Sequence, residues 1–227
     1  MCAFLCASLC CIGATPLLGQ VVGHLPEQSP YNDIENPQRI WLFGGYFNAR
    51  KDDAGAAPQS APLLGAQYEI TVGGPAQFFV RLERVGSQRA TYDPANPTAK
   101  RDTVGDPLWL ADLGFSFNLT GQKSWHNIVP TLAFGIGIAG LKKVNADDPY
   151  DFGTQFQLST DFDINYMLKG SSELRLGVGN TLYQNHYPPG YYVVTGNTPA
   201  LLGSNVSKSS YLSNWRFTAG LAVPIFR

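Results

Sequence analysis

Apolar and polar residues alternate along most of this chain, most clearly over residues 152–168. Phe152, Thr154, Phe156, Leu158, Thr160, Phe162, Ile164, Tyr166 and Leu168 fall on one face. Gly153, Gln155, Gln157, Ser159, Asp161, Asp163, Asn165 and Met167 fall on the other. A period of two is that of an extended strand, whereas a helix would scatter both sets around its axis. The segment is far longer than the roughly 5–6 residues of an ordinary soluble strand.

The pattern recurs. Over 108–119, Trp109, Leu113, Phe115 and Phe117 alternate with Leu110, Asp112, Gly114 and Ser116. Over 131–141, Leu132, Phe134, Ile136 and Ile138 alternate with Ala133, Gly135, Gly137 and Ala139. Over 173–183, Leu174, Leu176 and Val178 oppose Glu173, Arg175, Gly177 and Gly179. Over 212–226, Trp215, Phe217 and Leu221 oppose Arg216, Thr218 and Gly220. Residues 63–72 set Leu64, Tyr68 and Ile70 against Gln67 and Glu69. Residues 76–91 set Phe78, Val80 and Leu82 against Arg81 and Glu83 and lose the pattern after Arg84. Residues 39–50 are aromatic on both faces, so their phase is open. These eight segments predict an all-β chain.

The connections alternate in length. Residues 51–62, 92–107, 142–151 and 186–211 are long and rich in Pro, Asp, Asn, Gly or Ser. Between them lie Gly73-Gly74-Pro75, Thr120–Asn127 and Lys169-Gly170-Ser171. In an antiparallel meander successive connections fall at opposite ends. All long loops then share one end, and the short turns and both termini share the other. This layout resembles the small eight-stranded outer-membrane barrels of the OmpA/OmpX type. The resemblance covers residues 39–227 and rests on architecture. It implies an eight-stranded antiparallel up-and-down transmembrane β-barrel in a Gram-negative, bacterial outer membrane. It also implies short periplasmic turns, external loops, surrounding outer-membrane lipid, and delivery by barrel-insertion machinery. Such barrels commonly end on an aromatic residue, whereas here Phe226 is penultimate and Arg227 last.

Alternation alone also fits a secreted lipocalin-like calyx with its apolar face around a greasy ligand. The polar face separates the two. It is dense in Gly, Ala, Ser, Thr, Gln and Asn rather than in Lys and Glu, which suits a crowded lumen better than a soluble exterior. The apolar face is nearly free of charge, as lipid requires. Trp41, Trp109, Trp125, Tyr166 and Trp215 fall near strand ends, where interfacial aromatics belong.

Composition agrees. The 227 residues carry 16 Lys+Arg and 17 Asp+Glu, a formal net charge of −1. So balanced a charge argues against nucleic-acid binding through a basic surface. The 12% aromatic content argues against acidic disorder. Residues 1–19 are uncharged and hold all four cysteines, Cys2, Cys6, Cys10 and Cys11. They read as a secretory signal, without a basic stretch before the apolar core. Residues 20–38 follow as a periplasmic segment, and the barrel as residues 39–227.

The candidate chemistry is inside. Glu69, Arg81, Glu83, Asp112, Asp161, Asp163, Glu173, Arg175 and Arg216 all fall on the inward face. In a narrow barrel they should pair across the lumen, because an unpaired buried charge is costly. A hairpin centred on Gly170 sets Arg175 opposite Asn165 and diagonal to Asp163. Gly135, Gly137, Gly177 and Gly179 leave space that the arginines fill. A plug is expected, with a narrow channel as the alternative, since eight strands leave an interior just wide enough for side chains. His24, His126 and His186 form no catalytic or metal-ligand spacing. His186 and the acidic Asp147, Asp148 and Asp151 share the outer end. No enzyme activity, metal or cofactor is expected, and the barrel is expected to be monomeric. Tyr187, Tyr191 and Tyr192 in the longest loop are candidate contacts for a surface ligand, with a loop folded on itself as the alternative.

Overall fold

The computed structural model describes residues 29–34, 38–93, 96–141, 149–168, 172–194 and 199–225. The expected signal segment 1–19, His24, Asp147, Asp148, Gly170, Phe226 and Arg227 lie outside them. Twelve strands form among the described residues. Eight make the barrel: β2 (Gln38–Asn48), β3 (Ala61–Gly73), β4 (Ala76–Val85), β7 (Leu108–Asn118), β9 (Ile128–Gly140), β10 (Thr154–Met167), β11 (Glu173–His186) and β12 (Ser209–Pro224). Each pairs antiparallel with its neighbour. The ladder from Trp215↔Asn48 to Pro224↔Arg39 joins the last strand to the first and closes the cylinder.

Two hairpin-like additions were not legible in the pattern. Residues 76–91 are not one strand, nor 92–107 an irregular loop: β4 stops at Val85, and β5 (Gln88–Asp93) then pairs with β6 (Asn96–Gly105) as a separate hairpin. In β5, four successive residues from Arg89 to Tyr92 are buried, so no alternation survives there. At the opposite end β1 (Tyr31–Asp33) of the N-terminal segment pairs with β8 (Lys123–Trp125) inside the β7–β9 turn.

The alternating side chains take opposite sides of the wall. Phe115, Phe117, Phe134, Phe156, Leu158, Phe162, Leu176 and Phe217 point outward and are exposed. Asp112, Asp161, Asp163, Arg81 and Arg175 point inward and are buried. A calyx needs the reverse. In β2 the phase puts Arg39, Trp41, Phe43 and Phe47 inside and Leu42 and Tyr46 outside. Trp41 is therefore not an interfacial aromatic: it is 2% exposed and stacks on Phe43 with ring centroids 4.1 Å apart. Trp109, Tyr166 and Trp215 are exposed on the outer face, and Trp125 is exposed in the β7–β9 turn.

Glycine permits the close pairing of β7 with β9. Both Gly114 and Gly137 sit where an added Cβ would run into the facing backbone carbonyl, that of Phe134 and Ala111 respectively. Only a residue without a side chain lets these strands approach so closely.

Candidate functional site

The lumen holds two ionic clusters. The first lies at the short-turn end and joins β2, β3 and β11. Arg175 grips Glu69 with two bonds, 2.5 and 2.8 Å. Arg39 bridges Glu173 at 2.5 Å and Glu69 at 3.2 Å, and also donates to Gln77 at 2.5 Å. The Arg175 guanidinium lies 4.7 Å from the Trp41 ring centroid, a cation–π contact on its open face. The second cluster joins β4, β7, β10 and β12. Arg81 binds Asp112 through two donors at 3.0 and 2.6 Å, and reaches Asp161 at 2.8 Å. Arg216 bridges Glu83 at 2.6 Å and Asp161 at 2.7 Å. Ser159 donates to Asp112 and accepts from Arg81.

The arrangement is that of paired, desolvated charge. Each of the four guanidiniums is at most 4% exposed. Bidentate arginine–carboxylate geometry suits such burial, because it meets several lone pairs at once. The register sets Arg175 opposite Asn165. Its partner is nonetheless Glu69 across the lumen, not the diagonal Asp163. Asp163 belongs to neither cluster. Its carboxylate lies against Gly177, and that of Asp161 against Gly179, where any Cβ would collide with them. Of the four glycines expected to leave space for arginines, Gly177 and Gly179 are thus covered by these two aspartates, and Gly135 by Ser159 and Asp112.

Arg39 and Gln77 were not among the residues singled out in the sequence. The signal for Arg39 was hidden because aromatics on both faces of 39–50 obscure the phase.

The long-loop end of the barrel carries a second, apolar layer. Phe47, Leu63, Val85, Leu108, Leu110 and Tyr183 line the top of the barrel. Loop residues Ala54, Ala57, Tyr92, Tyr150, Phe152, Tyr187, Tyr191 and Leu202 pack onto them. Hydrogen bonds knit the loops together. The Asp53 N–H donates to the Tyr187 hydroxyl at 3.0 Å, which donates to Asp52 Oδ2 at 3.1 Å. Tyr150 donates to Asn185 Oδ1 at 2.5 Å, Tyr92 to the Ala54 carbonyl, and Arg89 to Asp106 at 2.8 Å. Burial, and then the Asp52 carboxylate, push the Tyr187 and Tyr150 phenols well above the usual tyrosine range. Tyr187 and Tyr191 are thus buried in the cap, and only Tyr192 of the three is partly exposed. His186 and Asp151 are exposed at this end. Among the described residues no three of His, Cys, Asp and Glu gather as metal ligands.

Eight closed antiparallel strands, an apolar exterior and an ion-paired interior define a small transmembrane barrel of the outer-membrane type. The fold is that of Neisserial surface protein A, which aligns with a TM-score of 0.53 at 13% identity, over 83% of this chain and 97% of that one. OprG from Pseudomonas aeruginosa aligns at 12% identity over 82% of this chain and 95% of its own, with a TM-score of 0.44. Ail, the attachment invasion locus protein of Yersinia pestis, aligns at 10% identity over 82% and 99%, with a TM-score of 0.37. No family model and no curated protein matches the sequence.

Proposed function

We propose that this outer-membrane barrel has a structural or surface-interaction role, with a lumen plugged by its charged side chains. The observation that carries the reading is the paired burial of Arg39, Arg81, Arg175 and Arg216 against the carboxylates of five strands. A conducting lumen needs hydrated, accessible charge, whereas both terminal nitrogens of each guanidinium here are bound to buried side chains. The apolar cap supports the same reading from the other end. The surface available to a partner is then the outside of the folded loops, where Tyr192, Val193 and Val194 emerge, and no enzymatic step is assigned to it.

Single-channel recording in planar bilayers tests the plug. The unmodified protein should insert and show no steady conductance. Well-resolved, long-lived openings would instead make it a narrow channel.

A further inference from the structure

The outer wall of β2 and β12 departs from the even apolar belt. Gly44 pairs with Ala219 across this seam. Two small residues side by side leave a hollow of about 500 Å³, walled by Tyr46, Phe162, Leu176 and Phe217. Toward the external end the same ladder carries Tyr46 beside Phe217, then Asn48 beside Trp215. Arg50 follows just past the strand, its N–H donating to Asn214 Oδ1 of β12 at 3.0 Å. Arg50 and Lys51 are exposed, and with Asn48 and Ser60 they line a second hollow of about 430 Å³. Neither forms an ion pair with a carboxylate of the described residues. Of the two adjacent carboxylates, Asp52 is engaged by the Tyr187 hydroxyl and the Ala56 N–H, each at 3.1 Å, and the exposed Asp53 lies toward Tyr192, whose phenol burial and then this carboxylate push up.

From Gly44 to Arg50, two residues past the end of β2, an extended chain rises at most roughly 20 Å, or about 15 Å along the membrane normal at the usual barrel tilt. An apolar hollow at membrane depth thus lies under an aromatic pair, and two uncommitted cations sit at headgroup level. We propose that this wall binds a phosphorylated, acylated lipid of the outer leaflet, with one acyl chain in the Gly44 hollow and a phosphate at Arg50 and Lys51. Charge complementarity selects an anionic headgroup, and the hollow selects an acylated molecule over a free anion. The inference rests on the outer-membrane reading above.

Two kinds of variant separate its halves. Arg50→Ala with Lys51→Ala removes exposed charge only. Gly44→Leu fills the hollow, and the backbone tolerates it, because a Cβ there meets nothing closer than Leu64 Cδ2 at 3.4 Å. The barrel is refolded in dodecylmaltoside micelles and titrated with bisphosphorylated lipid A or its dephosphorylated form. Bound lipid is counted by native mass spectrometry. The phosphorylated lipid should bind about five-fold more tightly or better, as charge-assisted bonds to phosphate imply. The double alanine variant should lose that preference and keep basal binding. Gly44→Leu should weaken both lipids alike. Equal affinity for the two lipids, or a preference that survives the double variant, would overturn the proposal. So would displacement by inorganic pyrophosphate together with no effect of Gly44→Leu, since the site would then take a free anion. Loss of heat-dependent gel mobility in the unmodified protein would instead sink the barrel reading on which the proposal rests.

Discussion

Tyr187 ties two loops through one hydroxyl, accepting from the Asp53 N–H and donating to Asp52. Tyr187→Phe removes two half-buried hydrogen bonds, from the Asp53 N–H and to Asp52, and should cost about 1 kcal/mol. The loss is local, so hydrogen exchange should quicken in residues 49–60 and leave β10 and β11 protected. Proton linkage acts on the same layer. The Tyr150 and Tyr187 phenols stay protonated in the folded cap at pH values where an opened cap, titrating near 10, has released its protons. The opened form then binds fewer protons, so stability is lost as pH rises above about 10. Tyrosinate absorbance should rise together with protease cleavage at the loops, while the barrel keeps its gel mobility. A rise of both in separate pH ranges would contradict the linkage. In the lumen, Arg175→Ala strips Glu69 of its bidentate partner and Trp41 of its cation. Uncompensated buried charge typically costs about 3–5 kcal/mol. The midpoint of urea unfolding in lipid vesicles should fall accordingly, and an unchanged midpoint would show that Arg39 alone suffices for Glu69.

The β7–β9 wall makes a prediction at the level of elements. Gly137→Ala thrusts a methyl group at the Ala111 carbonyl, and backbone cannot step aside as a flexible side chain can. Overpacking of this kind costs about 1–3 kcal/mol. The yield of heat-modifiable barrel should drop, whereas Gly73→Ala, in open space at a turn, should refold normally. The same elements show what the amino-acid pattern could and could not reveal. Strand β10 was legible because lipid on one side and a polar lumen on the other impose strict alternation over its full length. Strand β2 was legible as a strand but not in phase: the lumen there is filled by Trp41, Phe43 and Phe47, so both faces look greasy. The β5–β6 hairpin was missed for a related reason. It stands outside the lipid layer, packs under other loops, and answers to tertiary contacts rather than to a period. The ionic residues could be placed on the inward face, but their partners could not. Arg175 and Glu69 lie 106 positions apart in sequence and meet only across the closed lumen.

At the scale of the whole molecule, an apolar belt encircles a polar and ionic interior, the inverse of a soluble domain. The barrel should therefore resist proteolysis only when held in lipid or detergent, with cuts confined to exposed loop positions such as Lys51 and Lys208. Extensive cleavage within β10 of the membrane-held protein would contradict this facing. The closing ladder between β2 and β12 has a further consequence. Gln38 and Ile225 are joined by a backbone hydrogen bond of 3.2 Å, so the beginning and end of the cylinder are neighbours in space. The order in which the strands are strung is then a matter of convention more than of geometry. A short linker from residue 225 to residue 38, with new ends cut in the loop between β11 and β12, should yield a circular permutant. It would close the same cylinder on the β11–β12 ladder, which in the present chain is an ordinary interior pairing.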